Sequence, residues 1–340
     1  MSTQPTDLVT GATGLLGSHI VDRLLARGRS VRALARPGAD TRRLESLGVA
    51  IVRGDLNDPA ACRLAVEGVQ NIYHSAAKVG DWGPWRDFQS GCIDATRNLA
   101  EAALQAAAGR LIHISSTSAY GHPRDGSPPI DESEPMGQNV WLWDHYTRSK
   151  VESEQTLWRL RSDRGLRVSV IRPSWLYGER DRTTLARLVT RLRAGKVPLI
   201  GRGDNPLSAI YAGNVADAAL LAADTPAAEG QAYNVTNMGR ITQREFLSMF
   251  AEAAGAPAIR RSVPYPLAFA AAFVVETAAR CARSPRPPFV TRYAAWLMGR
   301  NLEYSNAKAE RELSWRPAVG YRESIERSVR WYLHSTTTGA

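Results

Sequence analysis

Cysteine and lysine are both scarce in this chain of 340 residues, and long apolar runs are missing. The three cysteines, Cys62, Cys92 and Cys281, are odd in number and widely spaced, with no CxxC and no zinc-type spacing. That argues against a disulfide framework or a bound metal and fits a reducing compartment, with all three thiols expected as small buried hydrophobes. The longest unbroken apolar run, Leu267–Val275, is nine residues, whereas a membrane-spanning helix needs about 20. An integral membrane protein is therefore not expected. The N-terminus shows neither the basic segment nor the apolar core of a signal peptide, so the expected location is the cytoplasm. Lysine occurs only at positions 78, 150, 196 and 308, which leaves 39 of the 43 basic residues as arginine. The formal charge is +10. Those arginines are spread along the chain with acidic residues interspersed, whereas nucleic acid requires a clustered basic face. Nucleic acid is not an expected partner.

What is present is ordinary globular composition, 44% hydrophobic and 22% charged. Short β-branched runs at Leu8–Thr10, Ser30–Ala35, Ala50–Val52, Asn71–Ser75, Arg110–Ser115 and Arg167–Arg172 read as strands. Helical patterns at Leu15–Arg27, Ala60–Glu67, Asp87–Ala108 and Tyr146–Arg164 lie between them. Such alternation predicts an α/β fold, a Rossmann-type doubly wound parallel sheet. Helix-like Asn214–Ala223 and a late strand, Ala232–Thr236, complete the sheet. Thr183–Ala194 and the proline-punctuated stretch 240–320 predict a smaller, helix-rich C-terminal substrate domain. The expected division is 1–178 plus 206–238 for the cofactor and 179–205 plus 239–335 for the substrate, with 336–340 as a tail. Residues 120–140, with four prolines, read as one long loop.

The first strand–turn–helix carries Gly11-Ala-Thr13-Gly14-Leu15-Leu16-Gly17. Glycines at that spacing allow a tight turn, close approach of backbone to a pyrophosphate, and packing of helix on strand. The helix N-terminus then presents its free N–H groups to the anion. At the end of the second strand, where a carboxylate would bond the ribose hydroxyls of NAD, stand Ala35 and then Arg36. An arginine accommodates a 2′-phosphate, so NADP(H) is the preferred cofactor and NAD(H) the alternative. Asp55 and Leu56 follow the third strand, where the adenine is expected. Ser75, Ala76, Ala77 and Lys78 follow the fourth, with small residues where backbone must pass close to the cofactor.

Tyr146-Thr-Arg-Ser-Lys150 sets a phenol and an ammonium four residues apart, on one helix face. The ammonium is expected to lower the phenol pKa from its ordinary value of about 10 toward the working range. The fifth strand ends in Ser115-Ser116-Thr117-Ser118, a hydroxyl-rich turn at the carboxyl edge of the sheet, where open α/β sheets bind ligands. A hydroxyl there can bond the substrate oxygen that Tyr146 protonates.

In this ordered set of motifs, continued by Arg172-Pro173-Ser174-Trp175-Leu-Tyr177-Gly178, the chain resembles the extended short-chain dehydrogenase/reductase superfamily, including the NAD(P)-dependent epimerase/dehydratase families. The resemblance runs from about Leu8 to Trp331. It implies Ser116 as the catalytic hydroxyl, Tyr146 as acid/base and Lys150 as its partner, with Ser115, Tyr146 and Lys150 also touching the cofactor and Pro173 and Ser174 bordering the nicotinamide. Enzymes acting on sugar nucleotides usually carry asparagine at the position of Trp175, and an indole cannot replace its hydrogen bonds. The apolar residue looks instead like the branch of 3β-hydroxysteroid dehydrogenases, sterol-4α-carboxylate dehydrogenases and 2-alkyl-3-oxoalkanoate reductases. One departure stands out: relatives commonly show Asn-Val-x-Gly-Thr after the fourth strand, and here the segment is Cys92-Ile-Asp-Ala95-Thr96.

Trp82, Trp85, Trp141, Trp143 and Trp175 fall in segments beside the expected site, the composition of an apolar pocket. Trp82, Ser118, Trp143 and Trp175 are the expected substrate contacts. The expected function is interconversion of a secondary alcohol and a ketone on a bulky apolar molecule, steroid-like or long-chain β-keto. A nucleotide-sugar epimerase or dehydratase and a non-catalytic NADP-sensing protein are the alternatives. A homodimer is a candidate assembly, and the apolar stretch after Pro264 leaves room for weak peripheral contact with a membrane.

Overall fold

The computed structural model of the protein describes residues 6–124 and 128–337. Its strands, in chain order, are β1 (Thr6–Thr10), β2 (Ser30–Ala35), β3 (Ala50–Arg53), β4 (Val69–His74), β5 (Arg110–Ile114), β6 (Val168–Pro173), β7 (Trp175–Tyr177), β8 (Leu199–Ile200), β9 (Ala209–Tyr211), β10 (Ala232–Val235) and β11 (Ser262–Val263). The helices are α1 (Leu15–Ala26), α2 (Arg42–Ser46), α3 (Pro59–Val66), α4 (Trp85–Phe88), α5 (Ala95–Gln105), α6 (His145–Arg164), α7 (Thr184–Arg193), α8 (Ala212–Asp224), α9 (Gln243–Ala253), α10 (Tyr265–Cys281), α11 (Arg292–Gly299), α12 (Ala307–Leu313) and α13 (Tyr321–Thr337).

Seven strands form one parallel sheet in the order β10-β6-β5-β4-β1-β2-β3. The order reverses between β1 and β4, and that reversal opens the crevice in which doubly wound sheets hold their ligands. Both faces are covered, so even the polar strand residues Asp7, Asn71, His113 and Ser169 are buried. On one face Leu16, Ile20 and Leu24 of α1 meet Val215 and Ala219 of α8. On the other, Cys62 and Val66 of α3, Leu99 of α5 and Leu157 of α6 cover Leu8, Ile72 and Leu111. A separate apolar cluster joins α7, α9 and α13 through Val189, Phe246, Phe250, Ile325 and Val329.

Three expectations change. The single helix expected over Asp87–Ala108 is α4, a wide π-turn at Gln89–Asp94, and then α5. Gly91 permits this, because a Cβ there would meet Lys78 Cβ at 3.1 Å. Cys281 is exposed at the end of α10, not buried as Cys62 and Cys92 are, because that end of the helix faces outward. The tail expected from residue 336 starts inside a helix, since α13 continues through Thr337. Residues 338–340, like 125–127 of the long loop, lie outside the described residues.

Candidate active site

The crevice begins where β1 turns into α1. Gly11 has φ +69°, and a Cβ there would lie 2.8 Å from the Ala76 amide after β4. A Cβ on Gly17 would sit 2.2 Å from the Gly11 carbonyl and 2.8 Å from Ser75 Oγ. Both are contacts that only glycine avoids. Gly14 caps α1 without a side-chain acceptor, and the first turn carries no acidic residue. Thr13 and Gly14 are exposed. This cradle of free N–H groups with no competing anion fits a dinucleotide pyrophosphate.

Ser75 Oγ donates to the Thr10 carbonyl at 2.8 Å, which pins the β4 exit against the β1 exit. Below it His74 is buried between Thr10 Oγ1 (2.8 Å) and Thr96 Oγ1 (3.0 Å), and burial drives its pKa down to about 3. It is a neutral spacer between strand and helix. Arg36 is exposed just past β2 and, among the described residues, has no carboxylate partner. Asp55 accepts from the Asn57 amide at 2.8 Å, while the Leu56 carbonyl accepts from Asn98 Nδ2 at 3.0 Å, so the loop after β3 is locally braced. The Lys78 ammonium lies 5.7 Å from the Phe88 ring, and its carbonyl accepts from Cys92 Sγ at 3.7 Å. Pro173 ends β6, and Ser174 Oγ donates to Thr236 Oγ1 at 3.0 Å.

Helix α6 supplies the phenol and the ammonium. Asp144 caps it, accepting from the Thr147 amide at 3.0 Å, and Gly165 with φ +72° ends it. Four hydroxyls converge at the end of β5. Ser116 hydrogen-bonds Tyr146 and donates to Ser118 Oγ at 3.1 Å, and Ser118 Oγ lies 2.9 Å from Tyr293 Oη. The Tyr293 ring meets Tyr146 edge to face at 5.8 Å. One turn along α6, Lys150 is buried and donates to the Ile114 carbonyl at 3.2 Å. The expected lowering of the Tyr146 pKa is not found. Burial pushes the phenol up to about 12, outweighing the Ser116 hydrogen bond, and burial likewise lowers Lys150. Tyr146 is thus held as a proton donor. Cys92, carried inward by the π-turn, lies within electrostatic reach of both groups.

Ser115 faces away from the crevice, because its hydroxyl donates to Glu154 Oε2 at 2.7 Å. Glu154 in turn holds Arg172, whose Nη1 donates to Tyr120 Oη at 2.9 Å. Only the Ser115 backbone is left to touch a cofactor. Trp143 belongs to an aromatic group above the hydroxyls: it stacks on Trp141 (4.8 Å) and lies under the Arg292 guanidinium (3.8 Å). Trp141 stacks on His122 at 3.7 Å and meets Trp296 and Phe269. Trp82 is tied to the end of α10, donating to the Ser284 carbonyl at 3.0 Å. Trp85 opens α4 under Arg148, and Trp175 lies on β7 against Phe246, within the α7–α9–α13 layer. Tyr293 escaped sequence reasoning because it sits 147 positions beyond Tyr146 and no motif marks it; only the packing of α11 brings the two rings together. Among the described residues no three His, Cys, Asp or Glu side chains converge as metal ligands.

Residues 8–236 match the model of the NAD dependent epimerase/dehydratase family. The chain belongs to that family. A 2-alkyl-3-oxoalkanoate reductase of Shewanella oneidensis is 30% identical over 330 residues, covering 94% of this chain and 84% of that one. Sterol demethylase protein B of Methylococcus capsulatus is 30% identical, over 96% of this chain and 98% of its own. Among solved structures, a Thermus thermophilus UDP-glucose 4-epimerase in complex with NAD superposes with a TM-score of 0.74 at 26% identity, covering 96% of this chain and 99% of that one. A family member with this sheet and these hydroxyls is an enzyme of the NAD-dependent oxidoreductase type. A nicotinamide dinucleotide bound in the crevice would supply or accept hydride. The Gly11–Gly17 turn would hold its pyrophosphate. The Ser116 and Tyr146 hydroxyls stand together, so a single oxygen placed between them could be bonded by both.

Proposed function

We propose that the protein interconverts a secondary alcohol and a ketone on a bulky apolar molecule, steroid-like or a long-chain β-keto or β-hydroxy compound, with NADP(H) preferred over NAD(H). The observation that carries this is the juxtaposition of the Ser116–Ser118–Tyr146–Tyr293 hydroxyls with the aromatic group of Trp141, Trp143, Trp296 and Phe269. Proton donors under an apolar, aromatic wall suit a carbonyl on a water-poor body. Tyr146 supplies the proton to the carbonyl, Ser116 steadies its oxygen and Lys150 supports Tyr146 and orients the cofactor ribose, while Ser118 and Trp143 face the substrate body. Exposed Arg36 takes the 2′-phosphate. The names of the relatives, a reductase of oxoalkanoates and a sterol demethylase protein, lean the same way. We read residues 1–178 with 206–238 as the cofactor unit and 179–205 with 239–335 as the substrate unit, acting in the cytoplasm without nucleic acid, with a homodimer to be tested by light scattering.

The test is an NADPH-oxidation screen over ketosteroids, long-chain β-keto acids and UDP-sugars. Stoichiometric oxidation with either lipid class supports the proposal. Conversion of a UDP-sugar with no net cofactor change would replace it by the epimerase reading, which the same family also contains.

A further inference from the structure

Helix α10 has two unlike faces. The inner one carries Phe269, packed on Trp141 at 6.1 Å, fully buried Ala272, and Glu276, 1% exposed. Glu276 accepts from the Arg292 amide at 3.0 Å and from the side chains of Arg292 and Arg280, so α10 is fastened to α11, the helix of Tyr293. The outer face is apolar and open: Leu267 is 62% exposed, Val274 63% and Phe273 50%, and Phe289 beyond the helix is 66% exposed. Leu267, Ala271, Val274 and Ala278 follow each other at helical spacing, so they form one strip. Four of the nine exposed large hydrophobics among the described residues fall in this one segment. A contiguous patch of that kind marks an interaction site.

The charge around it is one-sided. Between Glu252 and Glu303 the chain holds seven arginines and a single carboxylate, the buried Glu276. This breaks the otherwise even mixing of charge. Arg260 and Arg261 stand exposed before α10, Arg283 and Arg286 stand exposed after it, and none of the four is ion-paired among the described residues. A helix of 17 residues is about 25 Å long, so unneutralised guanidiniums flank both ends of the apolar strip. An amphipathic helix that lies in a bilayer interface has this layout: apolar side down and cations at the headgroup level.

We propose that the outer face of α10 docks on the surface of an anionic phospholipid bilayer. Leu267, Phe273 and Val274 enter the headgroup–acyl boundary, and Arg260, Arg261, Arg283 and Arg286 meet lipid phosphates. No helix among the described residues is long and apolar enough to cross a membrane, so the contact is peripheral. Because the inner face of the same helix packs on the aromatic group beside the hydroxyls, docking would bring a membrane-dissolved substrate near its site. That advantage rests on the proposed function; the surface does not.

Flotation of the full chain with vesicles of phosphatidylcholine, with and without phosphatidylglycerol, tests this without any turnover. The protein should float with the anionic vesicles at low salt and be released by molar NaCl, which screens surface charge. Leu267→Glu/Val274→Glu and, separately, Arg260→Glu/Arg286→Glu should each weaken binding by about tenfold or more. Both should keep the thermal melt and the turnover of a water-soluble ketone. Failure to float with either vesicle, equal binding to both compositions, or binding unchanged in both variants would overturn the proposal. So would conversion of a dimer to monomers by Leu267→Glu/Val274→Glu with flotation intact, which would assign the face to a second copy of the chain. Vesicle binding without ketone turnover would sink the proposed function and leave this inference standing; turnover without vesicle binding does the reverse.

Discussion

Glu154→Gln is the sharpest perturbation of the site's foundation. Glu154 and Arg172 are an ion pair with side-chain exposures of 0% and 5%. The carboxylate accepts from Arg172 Nε at 3.1 Å, from Ser115 Oγ at 2.7 Å and from Trp158 Nε1 at 3.0 Å. Burial alone would lower the guanidinium's pKa, yet Glu154 and Tyr120 hold it above its ordinary value. The amide keeps the volume of the carboxylate but loses its charge, which leaves a buried cation uncompensated at a cost of about 3–5 kcal/mol. Against a total of about 5–15 kcal/mol for a folded domain, that is a large fraction. Urea unfolding should show it as a lowered midpoint at unchanged slope. Glu154→Leu/Arg172→Met removes both charges and should recover at least about 1 kcal/mol of the loss, even though buried Ser115 stays unpaired. Because Ser115 precedes Ser116, the Gln variant should also lose kcat more than cofactor affinity. A Gln variant within about 1 kcal/mol of wild type, or a double variant less stable than the single, would refute this account of what holds the hydroxyl turn.

Three further outcomes are expected. Tyr146→Phe removes the proton donor and keeps the ring, so turnover should fall by about 100- to 10,000-fold while cofactor affinity, read by fluorescence titration, stays close to wild type. Arg36→Ala should raise the KM for NADPH by about 10- to 150-fold, the equivalent of roughly 1.5–3 kcal/mol for a charge-assisted contact, and change that for NADH little; equal changes would remove Arg36 from the 2′-phosphate. Tyr120, Tyr146, Tyr304 and Tyr321 are each pushed up to about 12 by burial. Their folded pKa values exceed the unfolded value of about 10, so this stability is complete below pH ~10 and is lost as pH rises toward ~12. Tyrosinate absorbance from these four should therefore appear together with alkaline unfolding, and a gradual rise in the folded protein would contradict it.

Much of this protein was legible from residue order alone, because the features concerned are local. Alternation of β-branched runs and helical spacing places β1 to β6 within a few residues, since short strand runs and the 3.6-residue spacing of helices are distinct patterns. Gly11 and Gly17 announce their turn because no other residue fits the contacts they make. Tyr146 and Lys150 share a helix face by arithmetic. What spacing could not supply is long-range. The Tyr146 pKa moves up because depth of burial, set by the whole fold, outweighs the Ser116 hydrogen bond, while Lys150 one turn away is turned to the Ile114 carbonyl. Ser115 looks identical to Ser116 in the sequence, but the pleat turns successive side chains to opposite sides, toward Glu154 for one and the site for the other. Tyr293 reaches Ser118 across 175 positions, and the arginine-rich reach around α10 acquires meaning only once Leu267 and Val274 are seen to face outward. Local conformation follows from each residue's own sterics and polarity, whereas burial, pairing and exposure belong to the packed chain, so the tertiary structure alone decided which of the legible residues meet.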